Sequence, residues 1–397
     1  MSALRLSRAL RAATTTLRTP IAARPAGPSI SISATPRTTS RPASGCSTPR
    51  RSKMPETIPQ TPIRVLRTVD ALRGWRDPHV HTHRLVALVP TMGALHEGHL
   101  SLVRRAAREN HHVVVSIYLN PAQFGASEDF ASYPSTWAAD VAALAKLDRE
   151  LADDGSNLGR VSAVFAPSTS EMYPEGFPGQ EVDSKGSFVT ITPVADVLEG
   201  QSRPTFFRGV ATVCMKLFNA VRPDRVYFGQ KDAQQLVVIR RLVRDFLLPI
   251  EVVGGETVRD ADGLAQSSRN IYLGPRRRAV APVMSKALRE AEEAYKSGQT
   301  SRDALLGRAN AVLDRVLAEQ RALPPSKRAL YEVDYVSLAD PETMLEMDGV
   351  HPVKGAILSS AIKMLPAEEP AEGEDLGHGG GPAVRLLDNV MLLPKTS

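Results

Sequence analysis

The chain is poor in several residue types, and each shortage excludes something. Two cysteines, Cys46 and Cys214, in 397 residues cannot build a disulfide framework or a cysteine-rich zinc site, and that usage points to a reducing compartment. Aromatic residues make up only 5%. No stretch approaches the roughly 18–20 uninterrupted apolar residues of a spanning helix, so membrane insertion is not expected. Acid is missing from the first 55 residues: Glu56 follows nine arginines and one lysine. Removing those ten positive charges turns the net +6 of the chain into −4 for the remainder. That remainder has no basic stripe interleaved with aromatics, so no nucleic-acid partner is expected. What is present, 42% apolar and 23% charged residues, suffices for two domains and a sizeable core.

Residues 1–60 read as a disordered leader. Arg5, Arg8 and Arg11 fall at helical spacing opposite Leu4, Leu6 and Leu10. Amphipathic, arginine-rich and acid-free describes a mitochondrial transit peptide. A basic tail on a cytoplasmic protein has the same composition, so both compartments stay open. Proline, serine and threonine dominate from Pro25 to Pro59, which argues disorder.

The folded body is expected from near Ile63. Arg84–Val89 and Val113–Leu119 read as buried strands joined by a helix over Leu100–Ala107, a right-handed βαβ unit. Ala163–Ala166, Arg225–Phe228 and Ile250–Val253 repeat the pattern. An α/β fold with a doubly wound parallel sheet follows for residues 61–257. Residues 258–397 read as a smaller α+β domain. Its helices are expected near Val280–Tyr295 and Arg302–Glu319, its strands at Tyr331–Leu338, Ala356–Met364 and Ala383–Leu387. The low-complexity stretch 366–382 reads as a solvated loop, as does Asp153–Arg160.

Four segments carry candidate chemistry. The first is PTMGALHEGH, Pro90–His99, between the first long strand and its helix. There the sheet leaves a crevice, and a helix N-terminus offers N–H groups to an anion. Gly93 and Gly98 would let backbone approach a phosphate, and His96 and His99 share one helix face. Paired imidazoles suit the charge that builds on a phosphate under attack. A zinc-protease reading fails, because His-Glu-Gly-His lacks the His-Glu-x-x-His spacing; solvated helix-cap histidines remain a competing reading. The second is Asn120-Pro-Ala-Gln123, whose amides could bind a hydroxyl or carboxylate, or merely make a turn. The third is Gly229-Gln230-Lys231-Asp232 with Gln235, where lysine and aspartate could meet a phosphate and its Mg²⁺, or form a surface ion pair. The fourth is Gln266-Ser267-Ser268-Arg269, hydroxyls and a guanidinium that could clamp a triphosphate or cap a turn. Together they lack an obvious nucleophile, which fits nucleotidyl transfer to a substrate that is itself the nucleophile.

The sequence resembles the pantothenate synthetase (pantoate–β-alanine ligase) family in PTMGALHEGH, SIYLNPAQF, ASYPSTWAAD, LEGQSRPTFFRGV, FGQKDAQQL and RDADGLAQSSRNIYL. The resemblance implies a Rossmann-like fold of the HxGH nucleotidylyltransferase type with a lid domain, and a homodimer. It implies ATP as substrate with Mg²⁺, and condensation of pantoate with β-alanine through pantoyl adenylate. The products are pantothenate (a coenzyme A precursor), AMP and pyrophosphate; another nucleotidylyltransferase of the superfamily is the alternative. Matched residue by residue, Met92, Gly93, Ala94, Leu95, His96, Glu97, Gly98 and His99 line the ATP site, with His99 the usual catalytic histidine. Gly229, Gln230, Lys231 and Asp232 form the second nucleotide segment, Lys231 facing phosphates and Asp232 the metal. Val258 matches an adenine-side backbone contact, and Gln266 to Arg269 the mobile phosphate-binding segment. Gln123 and Gln235 match residues that hold pantoate, with Asn120 beside them and Arg203 near the site. Gln230 and Gln266 depart from the family pattern, where Glu and an apolar residue are common.

Overall fold

The computed structural model describes residues 56–125, 128 and 130–394. The leader's first 55 residues lie outside them. Glu56–Gln60, counted with the leader above, are folded: Ile58 is 2% exposed, its N–H donates to the Ile63 carbonyl at 2.9 Å, and Val65 N–H donates to that of Glu56.

Six parallel strands form the main sheet: β1 (Arg64–Leu66), β2 (Val86–Thr91), β3 (His112–Ile117), β4 (Arg160–Phe165), β5 (Arg225–Gly229) and β6 (Glu251–Gly255). Their spatial order is β1-β4-β3-β2-β5-β6. Residues alternate between two buried faces, as strands covered on both sides must. Val86 and Leu88 point to one apolar layer, Ala87 and Val89 to the other. The first layer is closed by α1 (Val69–His81), the second by α2 (Glu97–Glu109) and α3 (Trp137–Asp153). Two single turns, α4 (Thr169–Met172) and α5 (Glu199–Ser202), precede α6 (Phe206–Val221) and α7 (Ala233–Asp245), which join the first layer. The chain runs outward from β2 through β3 to β4, then returns to the other side of β2 with β5. That reversal leaves a crevice beyond the C-terminal ends of β2 and β5.

The remaining chain builds a second core from α8 (Gly274–Val280), α9 (Val283–Lys296) and α10 (Arg302–Arg321) against a three-stranded antiparallel sheet. That sheet is β7 (Tyr331–Ala339), β8 (Ala356–Met364) and β9 (Val384–Leu392), in that order. Two features differ from the sequence reading. The last strand runs five residues past Leu387, because the polar Asp388 and Asn389 are consumed by partners: Asp388 takes both branches of the Arg259 guanidinium at 2.6 and 2.8 Å. The 366–382 stretch is irregular but fastened. Buried Arg277 donates to the carbonyls of Leu365, Leu376 and Pro382, and Arg276 pairs with Glu374 and the Glu368 carbonyl. Among the described residues no helix is long and apolar enough to cross a membrane.

Candidate functional site

The loop from β2 into α2 is held by side chains rather than by regular bonding. Thr91 Oγ1 donates to the Ser116 carbonyl at 2.7 Å and accepts from Gly93 N–H at 3.2 Å. Gly93 needs its left-handed φ of +85°, and a Cβ there would lie 3.1 Å from an Asp140 oxygen. Asp140, 2% exposed in the first turn of α3, accepts from Ala94 N–H at 3.0 Å, Leu95 N–H at 2.7 Å and Thr136 Oγ1 at 3.1 Å. Its carboxylate thus fixes the two residues that aim the histidines.

His96 is the N-cap of α2 and His99 its third helical residue. His96 Nδ1 accepts from Gly98 N–H at 3.1 Å, and His99 Nδ1 accepts from His96 N–H at 3.3 Å. With Nδ1 an acceptor on both rings, the bonding assigns the proton of each neutral imidazole to Nε2. The ring centres are 4.1 Å apart. Burial, and then the Lys231 ammonium, push the His96 pKa down to about 4. Burial, and then His96 itself, push His99 down to about 3. Two neutral N–H donors at physiological pH are the result. The cap reading and the catalytic reading therefore describe the same rings, enclosed rather than solvated.

An anion site at this helix N-terminus, as the sequence predicts, needs free backbone N–H groups in this loop. Those of Gly93, Ala94, Leu95, His96, Gly98 and His99 all have partners within the protein. Gly98 is also required for a different reason than phosphate approach: a Cβ would sit 2.8 Å from the His96 ring. The imidazoles hold most of the α2 terminus, and the Gly98 amide alone among these is also shared with a side chain from outside this core, Gln266.

Across the crevice, β5 runs into a 3₁₀ turn, Gln230–Asp232. Asn389 Nδ2 donates to the carbonyls of Gln230 at 2.9 Å and Lys231 at 2.6 Å, so β9 braces this turn from the second core. The mostly enclosed Lys231 ammonium lies 3.3 Å from Asp232 Oδ1. No group of three His, Cys, Asp or Glu suited to a metal exists among the described residues. The half-exposed Asp232 carboxylate fits Mg²⁺ only as an ion carried chiefly by phosphate oxygens, which is how Mg²⁺ is commonly held.

Met92, Gln123, Lys231, Gln235, Ser267 and Arg269 meet in one cleft between the two cores. Gln123 accepts from Asn120 Nδ2 at 3.1 Å, which leaves its NH₂ end, against Met92 Sδ at 3.1 Å, toward the cleft. Two expected substrate contacts act otherwise. Asn120 is 1% exposed; its amide bonds Gln123, the Gly209 carbonyl and the Tyr173 hydroxyl, so it orients Gln123 and does not face the cleft. The Arg203 guanidinium lines the cleft but is committed to Glu128, Glu199 and the Gln123 carbonyl, and it stacks on Phe206 at 3.8 Å. It carries no spare charge for a substrate anion. Cys214 is buried in α6 and its thiol pushed up to about 12, so it is no nucleophile.

The segment from Val258 to Arg269 docks on the same loop. Val258 carbonyl accepts from Gln266 N–H at 2.9 Å, and Gln266 Oε1 accepts from Gly98 N–H at 3.2 Å. Ser267 caps the turn Ser268–Tyr272, and Ser268 Oγ donates to the Ala94 carbonyl at 3.0 Å. Arg269 sits over the rings of Phe124 and Tyr133. Sequence reasoning missed Asp140, Asn389 and the Arg259–Asp388 pair. For Asp140 no local signal exists, since an acid in a first helical turn is commonplace. An adjacent acid and amide inside an apolar strand was the available signal for the other two.

Comparison with known proteins gives consistent matches. The sequence model described as pantoate-β-alanine ligase matches residues 64–391. The pantothenate synthetase of Roseiflexus castenholzii is 46% identical over 302 residues, covering 76% of this chain and 95% of that protein. That of Chloroflexus aurantiacus is 46% identical over 331 residues, covering 83% and 98%. A crystal structure of pantothenate synthetase from Thermus thermophilus superposes with a TM-score of 0.65 at 38% identity, over 84% of this chain and all of that one. A pantoate-β-alanine ligase from Francisella tularensis, complexed with β,γ-ATP and β-alanine, gives 0.58 at 26% identity, over 83% and 97%.

Proposed function

The chain belongs to the pantoate–β-alanine ligase family, and from that premise we propose that it forms pantothenate in two ATP-dependent steps. A carboxylate oxygen of pantoate attacks the α-phosphorus of ATP; the bond to the β-phosphate oxygen breaks and pyrophosphate leaves. The β-alanine amine then attacks the acyl carbon, the bond to the AMP oxygen breaks, and the amine sheds a proton.

The observation that carries this reading is the pair of enclosed, neutral histidines beside Lys231. Negative charge grows on phosphate oxygens in the first step, and preorganised donors aimed there lower its barrier. His96 and His99 would donate Nε2–H, and Lys231 would supply the cation. Neutral rings suit this role, because they add directed hydrogen bonds without repelling the ammonium. Gln123 and Gln235 would hold the pantoate hydroxyl and carboxylate, and Arg269 would face the triphosphate from the lid. Asp232 would hold Mg²⁺ bound to the nucleotide, which supplies further charge neutralisation when present.

Pantoate labelled with ¹⁸O in its carboxylate tests the intermediate. Transfer of one label into AMP is expected with β-alanine present. Unlabelled AMP, or ADP as product, would rule out acyl adenylation. A family-type homodimer is part of the proposal, and sedimentation of the chain near twice its monomer mass would support it.

A further inference from the structure

We propose that Gln266 is a latch that occupies an α2 amide in competition with the nucleotide, and so sets how tightly ATP is held. The Gly98 N–H is shared between His96 Nδ1 at 3.1 Å and Gln266 Oε1 at 3.2 Å. The far end of the same carboxamide donates to Asp260 Oδ1 at 3.0 Å. Asp260 Oδ2 in turn accepts from Arg278 in α8 at 2.8 Å. A continuous chain of polar contacts thus ties α8 to the first turn of α2 through one side chain.

The other bonded amides of this loop rely on Thr91, Asp140, His96 and His99, all within the Rossmann-like core. Gln266 is the partner that comes from outside that core, on the segment leading to α8, so its carboxamide can swing away without unmaking the loop's other bonds. It is also the weakest kind of acceptor for its place. A neutral amide oxygen stands at the positive end of a 13-residue helix, where an anionic phosphate oxygen gains more. ATP can therefore displace it, but only from the fraction of molecules in which the latch has opened, and the apparent affinity falls by that fraction.

This inference rests on the reading that ATP occupies the β2–α2 and β5–α7 junctions. The test is calorimetric titration of the full chain with ATP and MgCl₂. Gln266→Met keeps the length of the side chain and removes the acceptor. It should bind ATP about fivefold more tightly than the unaltered chain, the worth of roughly one neutral hydrogen bond. The KM for ATP should fall in proportion while that for pantoate holds. Gln266→Glu keeps the acceptor but adds an anion where phosphate must come, and should bind at least about tenfold more weakly. Asp260→Ala, which frees the carboxamide at its other end, should tighten ATP by a smaller factor and serves if the Met variant is unstable. Equal or weaker ATP binding by Gln266→Met would overturn the latch, since the carboxamide would then be inert or a nucleotide contact. No ATP binding by the unaltered chain would instead sink the site reading beneath it.

Discussion

At the scale of residues, the central fact is that His96 and His99 stay neutral. Their folded pKa values, about 4 and about 3, lie below the ordinary 6.5, so protons bind preferentially to the unfolded chain once pH drops below that value. The stability these rings contribute is fully present above pH 6.5 and is lost as pH falls toward 4 and then 3. At pH 5 each should have lost about 2 kcal/mol relative to pH 7.5. Urea midpoints at the two pH values, for the unaltered chain and for His99→Gln, check this: the variant should lose visibly less. If the variant loses as much, His99 is not the titrating group. The same neutrality predicts a pH profile of kcat/KM without an imidazole limb between pH 5.5 and 7.5. His99→Ala and Lys231→Ala, each removing one preorganised donor, should slow AMP formation by about 10²–10³ while leaving the chain folded. Near-normal pantoate-dependent turnover in either variant would take that residue out of the mechanism.

At the scale of elements, the loop between β2 and α2 depends on Asp140 more than on any residue within it. Asp140→Ala leaves the amides of Ala94 and Leu95 without their acceptor in a buried place. A cost of about 2–4 kcal/mol is expected, together with a fall in kcat larger than any change in KM for pantoate. An unchanged kcat with lowered stability would reduce Asp140 to a fold residue. What was legible in the sequence follows from the same distinction. The strands β2, β3 and β5 and the helix α2 show in apolar runs, which burial on both faces of a parallel sheet imposes locally. His96, His99 and Lys231 were legible because the strand-to-helix junction that places them is local too. The three-residue β1 is too short to carry a pattern, and it exists only through its pairing with β4. Gln123 and Asn120 look alike in sequence, yet one faces the cleft and the other is closed by Tyr173 and Gly209; only packing from distant helices separates them. β9 was cut short for a related reason, since its polar residues are satisfied by Arg259 and by the turn Gln230–Asp232, more than a hundred positions away.

At the scale of the whole molecule, charge divides the chain at a definite place. Ten positive charges precede Glu56 and a net −4 follows, and Glu56 is also the first described residue. Each positive charge moving toward a negative matrix gains about 2.3 kcal/mol per 100 mV, so a leader of this kind is driven inward while the acidic body is not. We propose that residues 1–55 deliver the enzyme to mitochondria and are then removed. The structure sets a limit on where the cut can fall. Ile58 is buried against the second apolar layer of the main sheet, and the Glu56 carbonyl pairs with Val65. Cleavage beyond Ile58 would strip a core residue and cost about 2–3 kcal/mol. The mature N-terminus is therefore expected at or before Glu56. Fusion of residues 1–55 to a fluorescent reporter should give a mitochondrial signal and a shortened product whose N-terminus is readable by mass spectrometry. A diffuse cytosolic signal with an intact leader would refute import. It would leave the catalytic reading standing, because every side chain in that reading lies beyond Pro90.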